Sequence, residues 1–448
     1  MTATGRMDFR GGVHPPERKS LSADAAIEVL PTPPEVRIPL VQHIGAPCES
    51  LVKPKTPVAM GEMIGKAGGF VSAPVHASID GTCGMADVTT LPNARHVAVI
   101  PITAGPQTLS GQGLWDAIFG GEWPTRHLED HAPQQIVEAI QAAGIVGQGG
   151  AAFPTHVKLV RNETKPIDTL LVNGCECEPY LTADHRMMIQ LPGPIISGAL
   201  LAAQAADAKQ IIIAIEDNKP VAIDNLRRAV RGTKIQVVVL PTHYPMGGEK
   251  MTIRAALGRV VPTGGLPLDV GVVVINVGTA AAIARAVLRG KPLTHRVVTV
   301  TGSGVARPRN LLAPIGVSYK TLIEHCGGLT DQAARVLSGG PMMGLAIGNL
   351  DTPVTKGTSG ITVLTSQEAR KAEELQCIRC GRCVDVCPVG LVPTKIALAC
   401  RFKDWDLARR YHLDACIECG CCAYICPSGI PLVQLMRMGK AEIPRKKK

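Results

Sequence analysis

The chain has 448 residues, of which 46% are hydrophobic and 19% are charged, a composition that supplies buried cores and excludes a disordered chain. At about 150 residues per domain, this length corresponds to about three domains. The net charge of +10 suits acidic proteins, phosphate ligands or an anionic membrane surface as partners. Nucleic acid is not expected, because aromatic residues make up only 3% of the chain and no basic run is interleaved with them.

No stretch of the sequence is apolar over the roughly 18 residues that a membrane-spanning helix needs. The best apolar runs cover 193–206 and 270–284 and fall short of that length. The first residues also lack the apolar core of a signal peptide. We therefore expect a cytoplasmic protein that attaches to a membrane only peripherally, through other proteins.

The first 115 residues are predicted to be rich in β-strands and turns. Short apolar runs at 36–40 and 97–102 are separated by Pro and Gly residues. The segment 73–81 looks like the hairpin of a lipoyl or biotinyl carrier domain, but it lacks the lysine that such domains modify. The sequence therefore predicts a structural barrel-sandwich module, in which His76 packs and does not bind a ligand.

Residues 133–290 alternate between helical and strand patterns. The predicted helices cover 134–143, 195–206, 221–230, 248–257 and 279–288, and the predicted strands cover 167–172, 210–215, 234–240 and 270–277. This alternation implies a largely parallel sheet with right-handed crossovers. Beyond residue 293, a strand around 296–302 and a helix at 319–325 indicate a small α+β module. A linker over 352–360 and a charged helix over 368–376 then lead into a cysteine-rich segment.

The chain contains 15 cysteines, and most of them lie between 377 and 426. A secreted disulfide scaffold would be a short chain with cysteines throughout. Here two runs have the spacing C-x2-C-x2-C-x3-C-P, which is typical of bacterial ferredoxins. The first run is Cys377, Cys380, Cys383, Cys387 and Pro388, and the second is Cys416, Cys419, Cys422, Cys426 and Pro427.

In this pattern three close thiolates bind one [4Fe-4S] cluster and the fourth crosses to the other cluster. One cluster is thus expected to take Cys377, Cys380, Cys383 and Cys426, and the other to take Cys416, Cys419, Cys422 and Cys387. Two zinc sites are the alternative, although zinc usually takes separated cysteine pairs or histidines. Cys421 is either a free neighbour or a replacement for Cys422, and Cys400 is expected only to pack.

A glycine-rich loop, GIVGQGGAAFP, covers 144–154 and can present backbone N–H groups to a phosphate. It satisfies the relaxed dinucleotide fingerprint at Gly147, Gly149 and Ala152, but a helix precedes it where that motif needs a strand. An ordinary glycine-rich turn is the alternative. Next, the predicted strand ending at Val172 leads into NGCECEP over 173–179. Parallel sheets bind ligands at the C-terminal ends of their strands, and these amide and carboxylate side chains suit a flavin edge or ribose hydroxyls.

Three motifs, GQGGAAFPTHVK, NGCECEP and YPMGGEK, resemble the flavin- and NADH-binding subunit of respiratory complex I. With GGVHPPE, PVHASIDG, SGGPMMG and the two cysteine runs, they make nearly the whole chain similar to the RnfC family of Rnf electron transport complexes. The resemblance implies an α/β multidomain fold with four parts. These are a β-rich barrel-sandwich domain (1–115), an α/β flavin/NADH domain (116–262), a β-grasp module of the soluble-ligand-binding type (263–350) and a C-terminal two-[4Fe-4S] ferredoxin-like domain (365–435).

The resemblance also implies the site residues. The phosphate loop of the family falls on Gly147, Gly149 and Gly150, with Lys158 beside it, and the aromatic residue that faces the nicotinamide falls on Phe153. The residues that contact the flavin edge fall on Asn173 and Glu176, and the acids that meet NADH fall on Glu178 and Glu249. The remaining flavin contacts fall on Tyr244, Gly247, Asn276 and Thr279. The chain departs from complex I at two positions. Complex I has a basic residue in place of Gln148 and an acid in place of Cys175.

The function that the resemblance implies is electron transfer between NAD(H), one FMN and two [4Fe-4S] clusters, in a peripheral subunit of a membrane-bound, ion-translocating NAD:ferredoxin oxidoreductase. The clusters carry single electrons and cannot accept a hydride, so a flavin is needed to convert two-electron into one-electron transfer. The expected partners are the other subunits of the complex and, through them, ferredoxin, at the cytoplasmic face of the membrane. Two rivals stay open: a cobalamin-reducing flavin and iron–sulfur enzyme, and a non-enzymatic subunit that only conducts electrons and docks.

Overall fold

The computed structural model describes residues 8–161, 164–369 and 373–443. The charged helix predicted over 368–376 includes 370–372, which lie outside the described residues. Four sheets organise the described part of the chain. No single helix in these residues is long and apolar enough to cross a membrane, and one pair of helices, bent by 96° at its break, would meet that test together on length and composition alone.

Nine strands are described in the N-terminal part. Eight of them form two small sheets, and the first joins a sheet in another part of the chain. The strands are β1 (Ile27–Val29), β2 (Glu35–Pro39), β3 (Glu49–Ser50), β4 (Pro57–Val58), β5 (Met63–Lys66), β6 (Val75–His76), β7 (Gly81–Cys83), β8 (Asp87–Thr90) and β9 (His96–Ala104). One sheet has the order β2-β9-β7-β4 with β8 paired to β9, and the other has the order β3-β5-β6. Alternate residues of β2 and β9, such as Val36, Ile38 and Ile102, are fully buried between the layers.

The central part follows the predicted alternation of helices and strands. Its elements are α1 (Gly111–Phe119), α2 (Pro133–Ala142), α3 (Thr155–Leu159), β10 (Thr169–Asn173), α4 (Ala183–Gln190), α5 (Pro192–Ala206), β11 (Gln210–Glu216), α6 (Pro220–Ala229), β12 (Ile235–Leu240), α7 (Glu249–Leu257), β13 (Val272–Asn276) and α8 (Val277–Arg289). The four strands form a parallel sheet in the order β12-β11-β10-β13. Helices α5 and α8 pack closely because Gly198 lacks a Cβ, which would lie 1.7 Å from the carbonyl oxygen of Ala280.

The order of this sheet creates a topological switch point between β10 and β13. From β10 the chain builds outward to β11 and β12, and it then crosses back to place β13 on the other side of β10. Connections that leave neighbouring strands in opposite directions open a crevice at the C-terminal ends, where such sheets bind ligands. Asn173 and Asn276, the last residues of these two strands, are register partners there. The predicted domain boundary at 262 divides this sheet, because β13 and α8 complete it from the other side of that boundary.

The third part is a mixed six-stranded sheet with one helix. It contains β14 (His295–Thr301), β15 (Arg309–Pro314), α9 (Tyr319–His325), β16 (Ala333–Ser338), β17 (Leu345–Ile347) and β18 (Gly360–Thr365). The sheet order is β1-β15-β14-β18-β16-β17, so an N-terminal strand forms one edge and β18 lies in the middle. The sheet therefore extends past the predicted end at 350. The segment predicted as a linker over 352–360 is largely buried, because it connects two strands of the same sheet.

The C-terminal part is a small helical unit with its own core. Its helices are α10 (Arg382–Asp385), α11 (Pro393–Arg401), α12 (Trp405–Arg410), α13 (Cys421–Tyr424) and α14 (Leu432–Glu442). Buried side chains of α11 and α14 form the centre of the core. Cys400 is fully buried within it and lies against Gly439, as expected for a residue that only packs.

Lys356 ties three of these parts together from a fully buried position. Its Nζ donates hydrogen bonds of 2.6 Å to the carbonyl oxygens of Pro74, in the barrel-sandwich, and Gly144, at the start of the glycine-rich loop. Its own carbonyl oxygen accepts from Nη1 of Arg296 at 2.5 Å, and its N–H donates to Oε1 of Gln42 at 2.9 Å. Burial lowers the pKa of Lys356 to about 7.

This lowered pKa predicts a measurable pH dependence of stability. The side chain has a pKa of 10.5 when unfolded, so between about pH 7 and pH 10 the unfolded chain binds more protons than the folded chain. The free energy of unfolding therefore rises with pH in this window. We expect Lys356→Met to remove that rise and to cost about 1–3 kcal/mol for each carbonyl left unpaired. Urea unfolding of both proteins at several pH values measures the effect.

The exposed Lys234 provides the matched control, and Lys234→Met is expected to keep the wild-type pH dependence. A Lys356→Met protein whose stability followed the wild-type pH profile would contradict the prediction.

Candidate functional site

The glycine-rich loop lies across the switch point and is held from several sides. Within the loop, the N–H of Gly147 donates to the carbonyl oxygen of Phe153 at 2.9 Å. The N–H of Gln148 donates to the hydroxyl oxygen of Thr279 at 3.0 Å, which fixes the loop to the first turn of α8. The side-chain amide of Gln148 donates to the carbonyl oxygen of Gly278 at 3.2 Å. The residue that differs from complex I thus supports the loop from inside the protein.

Two neighbouring glycines of the loop face different surroundings. A Cβ on Gly149 would lie 2.8 Å from Nδ2 of Asn276, so a side chain there would displace that asparagine. A Cβ on Gly150 would meet no atom within 4 Å. Gly150 therefore borders open space at the edge of the sheet where a ligand is expected, and the backbone there can approach a phosphate closely.

Asn276 and Asn173 are fixed at the ends of their strands by their own hydrogen bonds. Asn276 caps α8 by accepting from the N–H of Gly278 at 2.8 Å, and its Nδ2 donates to Oδ2 of Asp184 at 2.6 Å. Asn173 donates from Nδ2 to the carbonyl oxygen of Gly247 at 2.8 Å. The structure thus brings the predicted residues Asn173, Gly247 and Asn276 to one edge of the sheet.

The two glutamates of the NGCECEP segment have internal partners. The carboxylate of Glu176 accepts from the N–H groups of Asp184 and His185 at 2.7 and 3.1 Å, at the N-terminus of α4, where the helix dipole favours an anion. Oε1 of the half-buried Glu178 accepts from the N–H groups of Met342 and Met343 at 2.7 and 2.9 Å. Burial raises the pKa of Glu178. Both carboxylates hold neighbouring segments against the site.

The segment that carries these glutamates is fastened by an N-terminal lysine. Nζ of the buried Lys19 donates to the carbonyl oxygens of Glu176, Glu178 and Leu181 at 2.8, 3.0 and 2.6 Å. Glu176 also has a backbone φ of 48°, a left-handed conformation that these three hydrogen bonds help to maintain. The wall of the site therefore depends on a residue more than 150 positions away in sequence.

The predicted charged pair near the loop is more accessible. Lys158, at the end of α3, donates from Nζ to Oε1 of Glu249 at 2.9 Å and to the carbonyl oxygen of Val274 at 3.2 Å. The Glu249 side chain is 40% exposed, and an ion pair of this exposure contributes little to stability. The side chains of Lys158 and Glu249 can therefore exchange this ion pair for contacts with a bound ligand.

Asp184 is a site residue that the sequence motifs did not reveal. It lies in the first turn of α4, and its carboxylate accepts from Nδ2 of Asn276, next to the glycine-rich loop. Burial, and to a lesser extent the adjacent Glu176 carboxylate, raise the pKa of Asp184 to about 7. The fully buried Arg296 adds a positive charge from the next part of the chain and donates from Nη2 to the carbonyl oxygen of Gln148 at 3.4 Å. Only the tertiary fold brings these charges to the loop.

One cysteine of the first run lies beside the cysteines of the second run. Cys387, the last cysteine of the first run, lines a pocket together with Cys416, Cys419 and Cys422 of the second run. Cys421 also lines this pocket, and hydrogen bonding to Cys419 raises the pKa of its thiol. Within 8–161, 164–369 and 373–443, no three His, Cys, Asp or Glu side chains converge on a position for a single metal ion. A [4Fe-4S] cluster, by contrast, is surrounded by its four thiolates, and these four thiols fit that arrangement.

The two runs also fold alike. Arg379 and Glu418, each two residues after the first cysteine of a run, both have a φ of 57°. Their N–H groups point at the sulfur atoms of Cys377 and Cys416 at 3.4 Å in both cases. Gly381 and Gly420 follow with φ of 78° and 88°, which only glycine adopts readily. The same tight turn is therefore built twice.

The second cysteine run contacts the flavin side of the molecule directly. The hydroxyl of the buried Tyr244 donates to the carbonyl oxygen of Cys419 at 2.6 Å. Tyr244, Cys419 and Cys421 share a buried cluster that Cys177 of the NGCECEP segment borders. The N-terminal segment closes this junction, because Val13 forms a β-bridge with Tyr244. The N–H of Gly12 donates to the carbonyl oxygen of Val386 at 2.9 Å.

Comparisons with known proteins agree with this arrangement. Family models match in chain order: the RnfC barrel sandwich hybrid domain at 7–105, the Nuo51 FMN-binding domain at 140–285, the SLBB domain at 297–346 and the 4Fe-4S dicluster domain at 376–430. The C subunit of the proton-translocating ferredoxin:NAD(+) oxidoreductase complex of Clostridium ljungdahlii is 42% identical over 87% of this chain and 84% of its own. The chain belongs to this RnfC family.

Other members of the RnfC family extend the comparison. The C subunit of the Na(+)-translocating ferredoxin:NAD(+) oxidoreductase complex of Acetobacterium woodii is 42% identical over 89% of this chain and 88% of its own. The C subunit of the ion-translocating oxidoreductase complex of Rhodobacter capsulatus is 43% identical over 97% of this chain and 83% of its own. An NAD(+)-reducing [NiFe]-hydrogenase in its H2-reduced state shares the fold, with a TM-score of 0.51 and 20% identity over 72% of this chain and 66% of the hydrogenase chain.

The raised pKa of Asp184 predicts a pH dependence opposite to that of Lys356. The unfolded pKa is 3.8, so between about pH 4 and pH 7 the folded chain binds more protons than the unfolded chain. The free energy of unfolding therefore falls as the pH rises through this window. We expect Asp184→Asn to lose that fall, because the amide keeps an oxygen for Asn276 without a charge. Thermal unfolding at about pH 5 and about pH 7.5 measures the difference.

Asp224→Asn, at an exposed position on α6, is the control and should retain the wild-type difference between the two pH values. Equal pH dependence in wild type and Asp184→Asn would show that Asp184 does not titrate in this range.

Proposed function

We propose that the chain is the NAD(H)-handling subunit of an ion-translocating ferredoxin:NAD(+) oxidoreductase complex, with FMN at the switch point and two [4Fe-4S] clusters in the C-terminal unit. The observation that carries this function is the contact between its two halves. Tyr244 belongs to the loop beside the flavin site, and its hydroxyl reaches the backbone of Cys419, a ligand of one cluster. Electrons can therefore pass between the flavin site and that cluster within one rigid junction.

We assign the binding roles within the site as follows. The flavin phosphate is held by Gly147, Gly149, Gly150 and Lys158. NADH is faced by Phe153 and Glu249. The flavin cavity is shaped by Asn173, Tyr244, Gly247, Asn276 and Thr279. The exposure of Glu249 supports a direct contact with NADH. The internal hydrogen bonds of Glu176 and Glu178 support a role in fixing the walls against which flavin and NADH lie.

When bound, FMN supplies the conversion between two-electron exchange with NAD(H) and one-electron exchange with the clusters. The chain contributes position and charge. Its glycine-rich loop can offer N–H groups to the phosphate, and the hydrogen bonds of Gln148 keep that loop in place before ligand arrives. Asp184, poised to gain or lose a proton near neutral pH, is placed to hold a proton beside the cavity through its contact with Asn276.

The finer features of the architecture and location belong to the same proposal. The mixed sheet around α9, matched by the SLBB family model, supports a β-grasp module over 295–365 with β1 added at its edge. The parallel sheet supports a flavin domain over 111–289. We place the protein peripherally at the cytoplasmic face of the membrane, where NAD(H) is found, bound through the other subunits. The match to the RnfC barrel sandwich domain favours this function over the cobalamin-reducing alternative.

The flavin site is tested by filling the open space beside Gly150. We expect Gly150→Asp to fold and to keep its iron, because a Cβ there meets no protein atom within 4 Å. It should nonetheless release its flavin and lose NADH oxidation, since the new carboxylate occupies and repels the phosphate position. Losing one charge-assisted hydrogen bond alone costs about 1.5–3 kcal/mol. Flavin content after acid precipitation and NADH-dependent bleaching are the measurements.

Gly348 makes the matched control, because a Cβ there also meets nothing within 4 Å, at a position after β17 and away from the switch point. Gly348→Asp should retain flavin and activity. Full flavin content in Gly150→Asp, or a wild-type chain that releases no FMN, would overturn the assignment. A wild-type chain with FMN that NADH does not bleach would favour a protein that only conducts electrons.

The cluster assignment is tested at the cysteine that crosses over. Cys387→Ser should damage mainly the cluster held by Cys416, Cys419 and Cys422, so iron should fall from about eight toward about four atoms per chain. Cys421→Ser should keep both clusters if Cys421 is a neighbour and not a ligand. Iron analysis and electron paramagnetic resonance of the reduced proteins distinguish the two variants, and the opposite pattern would show that Cys421 replaces an assigned ligand.

A further inference from the structure

The segment 8–14 lies between the proposed flavin domain and the cysteine that crosses over between the two runs, and we call it the N-terminal strap. The N–H of Gly12 donates to the carbonyl oxygen of Val386 at 2.9 Å, immediately before Cys387. A Cβ on Gly11 would lie 2.9 Å from the carbonyl oxygen of Cys387. The backbone of the strap therefore lies directly against the backbone that carries this assigned cluster ligand.

Stacked rings hold the strap to the flavin domain. The ring of His243 stacks on those of Phe9 and His14, with centroid distances of 4.6 and 4.7 Å and interplanar angles of 1° and 12°. Nδ1 of His243 also donates to Oδ1 of Asp8 at 2.9 Å. His243 directly precedes Tyr244, whose hydroxyl reaches the second cysteine run. The strap and the junction between flavin domain and cluster unit thus share one loop.

Gly12 leaves no room for a side chain at this contact. A Cβ there would lie 2.3 Å from Nε2 of His243 and 2.6 Å from the carbonyl oxygen of Tyr244. Its φ of 79° is also a left-handed conformation, which glycine adopts most readily. The close approach of the strap to the loop therefore depends on this glycine.

The apolar side chains of the strap pack beside the chain on either side of Cys387. Phe9 is 5% exposed and belongs to a buried cluster of the parallel sheet, against which Val389 packs. Val13 belongs to the buried cluster of Cys419, against which Val386 packs. The strap therefore covers the chain just before and just after the crossover cysteine with apolar surface.

The two assigned clusters differ in their contact with solvent. We call the cluster assigned to Cys387, Cys416, Cys419 and Cys422 the inner cluster, and the other the outer cluster. Cys419 and Cys422 are less than 10% exposed, whereas Cys380 of the outer cluster is exposed. Reduction adds negative charge to a cluster, and water stabilises that charge better than apolar side chains do. Exclusion of water therefore lowers the reduction potential of a cluster.

We propose that the N-terminal strap excludes water from the inner cluster and thereby keeps its reduction potential low. The inference rests on the proposed function, because it needs a [4Fe-4S] cluster at the assigned thiolates. Phe9, Gly12 and Val13 act through packing and backbone contacts, so they are positioning residues. The strap is thus a part of the electron-transfer site that lies outside both cysteine runs.

The test displaces the strap with Gly12→Ala. The new methyl group would collide with His243 and with the carbonyl group of Tyr244, so the strap must move. We expect the potential of the inner cluster to rise, while the outer cluster keeps its wild-type potential and the chain keeps its iron. Redox titration followed by electron paramagnetic resonance measures both potentials. Pulsed resonance after exchange into D2O reports water near each cluster, and deuterium couplings should increase at the inner cluster only.

Gly328→Ala is the matched control, because Gly328 has a similar φ of 85° but a Cβ there meets nothing within 4 Å. It should leave both potentials unchanged. Phe9→Ala removes the buried end of the strap without a collision and should also raise the potential of the inner cluster, so the proposal stays testable if Gly12→Ala does not fold.

Wild-type potentials and deuterium couplings in Gly12→Ala and Phe9→Ala would overturn the role of the strap. An equal shift of both clusters, or the same shift in Gly328→Ala, would also overturn it. A wild-type chain that holds no second reducible cluster would overturn the proposed function instead, so the two failures are distinguishable.

Discussion

The hydrogen bond between the Tyr244 hydroxyl and the Cys419 carbonyl oxygen joins the two halves of the molecule on which electron transfer depends. Single electrons pass efficiently only between centres held close together, so a cluster unit on a free tether would serve the flavin poorly. Glu178 reinforces the junction, because it binds the backbone at Met342, whose carbonyl oxygen lies against Gly420 of the second cysteine run. The cluster unit is thus seated on both the flavin domain and the SLBB region.

The proposed flavin site is assembled from three parts of the chain and not from one domain. Lys356 and Arg296 contact the glycine-rich loop at Gly144 and Gln148, and both are buried residues of the part of the chain that forms the mixed six-stranded sheet. Ala73 of the barrel-sandwich packs against the loop at Val146. The lipoyl-like hairpin lacks a lysine that could carry a lipoyl or biotinyl group. Its role in this protein is to support the glycine-rich loop.

Periodicity predicted the parallel sheet well, because its strands are continuous apolar runs and its helices have clear start residues. The cysteine spacing also predicts the crossover of Cys387, and in the structure Cys387 lines a pocket with Cys416, Cys419 and Cys422. The domain boundary at 262 divides a sheet, because a strand that returns to a sheet carries no local signal of its destination. The burial of residues 352–360 could not be predicted from the sequence for a similar reason. Their polar composition is typical of a linker, and the hydrogen-bond partners of Lys356 come close to it only in the folded chain.

Asp184 and Arg296 show the same limit within the site. Neither belongs to a motif, and each reaches the loop through long-range packing that sequence spacing does not encode. The glutamates of NGCECEP were visible as acids, but their partners, backbone N–H groups of α4 and of Met342 and Met343, became apparent only from the fold. The motifs indicated which residues belong to the candidate site, but they did not indicate which partner each side chain contacts.

The contacts of the N-terminal segment have a consequence for how the protein is made. Lys19 binds carbonyl groups at 176–181, β1 pairs with β15 near residue 310, and Gly12 binds Val386. This segment precedes all of these partners in the chain, so its contact with the cluster unit can form only after residue 386 has been synthesised. The hydrogen bonds of Lys19 need only the chain up to Leu181, whereas the hydrogen bond of Gly12 needs Val386. Closure of the N-terminal segment onto the cluster unit is therefore a late step of assembly.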